Sequence, residues 1–107
     1  MKKETEEKIG RMQLLEQNVQ NLLLQKQQFQ SQLIEVTSAL EELEKTETAY
    51  RIIGNIMVLS RKDELKKELQ SKKEMVELRI KSIEKQEAEL KGKAKDIQQE
   101  VLKEMGE

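Results

Sequence analysis

The chain of 107 residues has no cysteine, no proline, no histidine and no tryptophan. Phe29 and Tyr50 are its only aromatic residues. Without cysteine there is no disulfide, no thiolate nucleophile and no zinc–sulfur site. Without histidine the most common general base and metal ligand is missing. None of the four glycines belongs to a phosphate-binding loop. The expectation is therefore a protein that is not an enzyme, with no catalytic residue, no metal ligand and no cofactor. No apolar run approaches the ~18 residues of a membrane span, and the N-terminus lacks a secretion-signal pattern. A net charge of −1 gives no bias toward nucleic acid or an anionic membrane. Lys62, Lys66, Lys67, Lys72 and Lys73 do cluster, but Asp63, Glu64, Glu68 and Glu74 interleave with them. Neither nucleic acid nor membrane is an expected partner. The expected location is the cytoplasm, whose reducing conditions suit a chain free of cysteine.

What remains is a composition that is 38% charged and only 2% aromatic, too poor in bulk for a compact globule. Many Glu, Lys, Gln and Leu residues with no proline favour long helices. From Met12 to Leu43 the spacing confirms this expectation. Met12, Val19, Lys26, Leu33 and Leu40 form one seven-residue series, and Leu15, Leu22, Phe29, Val36 and Leu43 form a second. Nine of the ten are apolar. A repeat held for nearly five heptads predicts a coiled-coil seam, with the intervening glutamines on the solvated faces. A second helix is predicted from about residue 61. Its series are Leu69, Val76, Ile83, Leu90, Ile97 and Lys66, Lys73, Ile80, Glu87, Ala94, Val101. Ser60 followed by Asp63 resembles a capping box at its start. Gly92 lies inside this helix as a tolerated weak point.

Between the helices, Tyr50, Arg51, Ile52 and Ile53 precede Gly54-Asn55, and Ile56, Met57, Val58 and Leu59 follow. Two apolar runs around Gly-Asn predict a β-hairpin with a two-residue turn. If the chain folds back at that turn, facing residues have numbers that sum to 109. Both seams of the first helix then land on seam positions of the second, without offset. Six of the ten layers are apolar on both sides. The other four contain Lys26, Glu87, Lys73 or Lys66, whose stems would pack while their charges reach water. The expected fold is mainly α, a single domain over residues 1 to 107. Helix one covers about residues 5 to 46, the hairpin 50 to 59, and helix two 61 to 105. The two helices form a long antiparallel coiled coil.

Both faces of that hairpin are apolar and both of its edges are unpaired. A lone two-stranded hairpin is marginal in water, and open edges recruit further strands. Tyr50, Ile52, Ile53, Gly54, Asn55, Ile56, Met57, Val58 and Leu59 are therefore the candidate oligomerisation segment, expected to join a β-barrel built between subunits.

Several stretches together resemble a β-type prefoldin subunit. They are LLLQKQQFQSQL in helix one, the hairpin YRIIGNIMVL, KDELKKEL at the start of helix two, and IEKQEAEL beyond it. The resemblance spans essentially the whole chain, and the hairpin with its flanking helix start is the most specific part. One hairpin between the helices marks the β type, since α-type subunits carry two. The resemblance implies a hetero-hexamer of two α-type and four β-type subunits, with a β-barrel hub and six coiled-coil arms. It also implies an ATP-independent holdase that takes unfolded proteins and passes them to a group II chaperonin. A short chain without an extended tail fits an archaeal source better than a eukaryotic one.

The client-binding residues are expected where the chain termini meet. Ile9, Met12, Leu14 and Leu15 come together there with Ile97, Val101, Leu102 and Met105. Leu14 adjoins Leu15 and Leu102 adjoins Val101, so one of each pair must face outward. The competing expectation is a structural coiled-coil adaptor that oligomerises through its hairpin and binds no unfolded client.

Overall fold

The structure is a computed structural model, and residues 2–106 are described. Helix α1 (Lys3–Lys45) leads into strand β1 (Ala49–Ile53), strand β2 (Ile56–Ser60) and helix α2 (Lys62–Met105). Neither helix contains a proline to break it. Glu4 and Glu6 in the first turn of α1, and Asp63 and Glu64 in that of α2, complement the positive helix N-termini. Lys45 and Lys103 do the same for the negative C-termini. The β-branched Thr46 closes α1: its N–H and its hydroxyl both donate toward the Leu43 carbonyl, at 3.4 and 3.5 Å. Among the described residues, no helix is long and apolar enough to cross a membrane.

The chain divides into two compact halves, one spanning Gln28–Ile80 and the other built from the residues up to Gln27 and from Lys81 onward. In the hairpin half, Val36 and Leu43 of α1 and Val76 and Ile80 of α2 are buried in the seam. Phe29 is half-buried with the Arg79 guanidinium 5.9 Å from its ring centroid, a distance at which a cation is attracted to the ring face. Lys66 fills a seam position and pairs its ammonium with Glu44. In the distal half, Ile83, Ile97 and Val101 are buried in the seam. Every seam residue read from the two heptad series is buried or half-buried.

The hairpin register is the expected one: Ile53 opposes Ile56, Ile52 opposes Met57, Arg51 opposes Val58 and Tyr50 opposes Leu59. Gly54 takes φ +60°, and no other described residue has positive φ. Asn55, the other central residue of the turn, therefore does not take the left-handed conformation. A positive φ at the first central residue alone is the pattern of a type II′ turn, whose twist suits a hairpin.

The structure corrects two further expectations. Ser60 does not cap α2. It pairs with Ala49 as the last residue of β2, and the first helical bond of α2 runs from the Leu65 N–H to the Arg61 carbonyl. Strand pairing holds Ser60 extended, one residue too early for the cap. The second correction concerns Glu87, whose carboxylate is largely buried, with Oε1 sealed from water and Oε2 3.7 Å from the exposed Lys91 ammonium. It is 6% exposed, and its Oε1 lies 2.9 Å from Lys26 Nζ. Lys26 and Glu87 occupy neighbouring layers, and their side chains lean across the helical turn between them. The ammonium approaches outside hydrogen-bond angles, so charge is what satisfies Oε1. The pair holds the Glu87 carboxyl below its ordinary pKa and the Lys26 amine above its own.

Candidate functional site

Side chains alternate along each strand. Ala49, Arg51 and Ile53 therefore share one face of the hairpin with Ile56, Val58 and Ser60. That face is anchored at its base: Ala49 is buried, Arg51 and Ser60 are half-buried, and the Arg51 guanidinium pairs with Glu68 of α2. Tyr50, Ile52, Met57 and Leu59 make up the other face, which no other described residue covers. Together with Ile53, Ile56 and Val58 they are seven large apolar residues, each 41–70% exposed. Both strand edges are unpaired, because the sheet has only two strands.

The second candidate region lies where the chain termini meet. Leu14, Leu102 and Met105 are 58–62% exposed, while Ile9, Met12 and Leu15 are half-buried. Ile97 and Val101 are 7% and 5% exposed, closed into the seam. Leu14, Leu15 and Ile97 line a shallow groove with Arg11, Lys93 and Asp96. Met12 lines a second groove beside Val19 and Ala94. Met105 borders a third with Lys2, Thr5 and Glu104. The eight expected residues thus occupy one end of the distal half without forming one continuous apolar surface.

A polar cluster at this end went unread in the sequence. Thr5 is 2% exposed, and its hydroxyl donates to Glu104 Oε2 at 2.6 Å. Lys8 donates to the other carboxylate oxygen of Glu104 and lies 3.5 Å from Glu100 Oε2. The Lys8 ammonium and the Thr5 hydroxyl hold the Glu104 carboxyl below its ordinary pKa. The Glu104 carboxylate in turn raises that of Lys8. The signal for this cluster was in the spacing. Carrying the two series of α1 back seven residues from Met12 and Leu15 reaches Thr5 and Lys8. Carrying Leu90, Ile97 forward reaches Glu104, which faces Thr5 in the same sum of 109. The series was ended at its last apolar residue, and these polar seam positions lie just beyond it.

The family model described as prefoldin subunit matches residues 6–107. The chain belongs to the prefoldin subunit family. It is 35% identical over 96 residues to the prefoldin subunit beta of Archaeoglobus fulgidus, covering 87% of this chain and 83% of that protein. It is also 35% identical over 101 residues to the prefoldin subunit beta of Saccharolobus islandicus, covering 92% and 80%. The crystal structure of the prefoldin beta subunit from Thermococcus strain KS-1 superposes with a TM-score of 0.89 at 28% identity, covering 95% of this chain and 92% of that one. The resemblance read from the hairpin and its flanking helices is thereby borne out, including its β type. Prefoldin subunits are chaperone subunits that assemble with other prefoldin subunits, and both properties bear on the two exposed regions.

Proposed function

We propose that this chain is one arm of an ATP-independent holdase. Its hairpin joins those of α-type partners and further β copies, two α and four β in all, and closes a β-barrel hub. Its distal end holds unfolded proteins and releases them to a group II chaperonin in the cytoplasm. It catalyses no reaction. The observation that carries this reading is the uncovered hairpin, where seven large apolar side chains and two open edges stand in water on a chain of this family. Such a surface is a standing aggregation hazard unless other strands close over it.

The client-binding residues proposed are Leu14, Leu102 and Met105 at the surface, with Ile9, Met12, Leu15, Ile97 and Val101 behind them. Met105 suits varied clients, because a thioether chain is flexible and polarisable. The burial of Ile97 and Val101 is the one observation that favours the adaptor reading instead. A single assay separates the two. The chain is assembled with a two-hairpin subunit, and a denatured protein is diluted into the complex without ATP. Suppressed aggregation is the expected result, and unchanged aggregation by an intact complex would establish the adaptor.

A further inference from the structure

We propose that Thr5, Lys8 and Glu104 form a latch that keeps the distal end shut over Val101 and Ile97, and that a segment of unfolded chain is fully engaged only when the latch opens. This rests on the holdase reading and adds to it how the site is regulated.

Thr5 and Glu87 are the two polar or charged side chains buried among the described residues. Glu87 is answered by Lys26 within an otherwise largely apolar stretch of seam. Thr5 instead sits in the outermost layer of the seam, opposite Glu104, and the next layer inward sets Lys8 opposite Val101. Apolar residues at these positions would hold the helices together more firmly, since a buried polar or ionic cluster is seldom the most stable filling of a core. The cluster has the property a releasable closure needs. Opening its outermost layer, Thr5 against Glu104, exchanges hydrogen bonds within the protein for hydrogen bonds to water, so separation starts at a polar layer, and the burial then lost at Val101 and Ile97 is restored against a client. Opening an apolar layer would instead lose buried area outright. Lys8 and Glu104 already keep about a quarter of their side-chain surface in water, at 26% and 28%, so water reaches the latch directly.

What opening exposes is also specific. Val101 shares its layer with Lys8, and Ile97 lies one helical turn further in. Leu102 is the sequence neighbour of Val101 and is already exposed, as are Leu14 and Met105. Separation of the first layers would therefore join buried Val101 and Ile97 to the three standing residues as one apolar surface. The closed form would offer a client three separate footholds, and the open form a continuous strip.

The chain has no cysteine, which allows a clean test. Thr5→Cys and Glu104→Cys are introduced together, the chain is assembled with a two-hairpin subunit, and the two thiols are either left free or joined by a short bis-thiol reagent. The free form lacks the latch, and the joined form cannot open. The expected order of client capture is free above wild type, and wild type several-fold above joined. Hydrogen exchange at residues 97–105 should follow the same order. Equal capture by the free and joined forms, with equal exchange, overturns the latch. If wild type fails to suppress aggregation, the holdase reading falls. The latch is then judged by exchange alone, where faster exchange in the free form than in the joined form supports it and equal rates overturn it. Should the double variant fail to assemble, Glu104→Gln replaces it. That change keeps the side chain's shape and weakens its bonds to Lys8, and it should speed exchange at 97–105. Unchanged exchange in this variant counts against the latch.

Discussion

At the hairpin, seven large apolar side chains lie within ten consecutive residues whose only charge is Arg51; at the tip, three stand out among lysines and glutamates. Full burial of one such side chain is worth about 1.5–3 kcal/mol. Since each hairpin side chain is already partly covered, closing a sheet over all seven is worth on the order of 10 kcal/mol. The three tip residues offer about two fifths of that on the same scale. Bringing two molecules together costs about 4–15 kcal/mol. The hairpin gain falls within that range, whereas a single tip lies at its lower end; under the proposed function a tip would hold a client reversibly, and affinity would come from several tips acting on one chain. Under the proposed function, the difference between a lasting joint and a transient grip would follow from how many apolar side chains each region exposes.

The largest expected effect comes from charging the uncovered hairpin face. Ile52→Asp with Met57→Asp should abolish assembly with a two-hairpin subunit, read as particle mass by light scattering, while helix content by circular dichroism stays unchanged. Persistent assembly would mean that this face is not the joint. At the tip, Leu102→Ser with Met105→Ser should weaken capture of a denatured protein several-fold and leave the assembled mass intact. Loss of the complex would show that the tip has a structural role, and the contrast between the two ends would disappear.

The two ends also differ in how much of each was legible in the sequence. The hairpin register follows from Gly54 and the symmetry of the flanking apolar runs, because a two-residue turn leaves one pairing open. The seams follow from the seven-residue repeat. The pairing of the polar seam residues was the part not legible. Apolar periodicity marks where the helices meet, but it is silent about a lysine and a glutamate that find each other across one helical turn, as Lys26 and Glu87 do. Thr5, Lys8 and Glu104 lie one heptad beyond the last apolar residue of their series, where the spacing continues but the apolar signal stops. Ser60 was misplaced because strand pairing and helix capping compete for the same residue, and only the folded hairpin decides between them.

The seam gives a subtler test. Lys26→Ala alone should lower the melting temperature, because it leaves the largely buried Glu87 charge with only the more distant Lys91 ammonium, 3.7 Å from Oε2. Lys26→Leu with Glu87→Leu should melt above the single variant and above wild type. The same pair sets a pH dependence. The carboxyls of Glu44, Glu87 and Glu104 are held below their ordinary value of 4.5 by Lys66, Lys26 and Lys8 respectively. Their contribution is therefore complete above that value and is lost as pH falls through the lowered folded-state values. Lys8 and Lys26 are raised above 10.5, so their contribution is present below that pH and is lost as pH climbs past the raised values. Thermal melts should show a plateau between these limits, and the Lys26→Leu, Glu87→Leu variant should lose less stability in acid than wild type.

The smallest effects set two glycines against each other. No atom lies within 4 Å of a Cβ built at Gly54 or at Gly92, so backbone conformation alone decides both. Gly54→Ala forces positive φ on an L side chain and should cost about 1–3 kcal/mol. Gly92→Ala lies within helix α2 and should gain about 0.5–1 kcal/mol. Urea unfolding midpoints would show the opposite signs.

A hairpin this apolar should not remain bare, and the mass of the particle formed on mixing this chain with a two-hairpin subunit tests that most directly. A single multi-subunit species in which the amides of residues 49–60 are protected from exchange is the predicted result. A mixture that stays monomeric, with those amides exchanging freely, would contradict it.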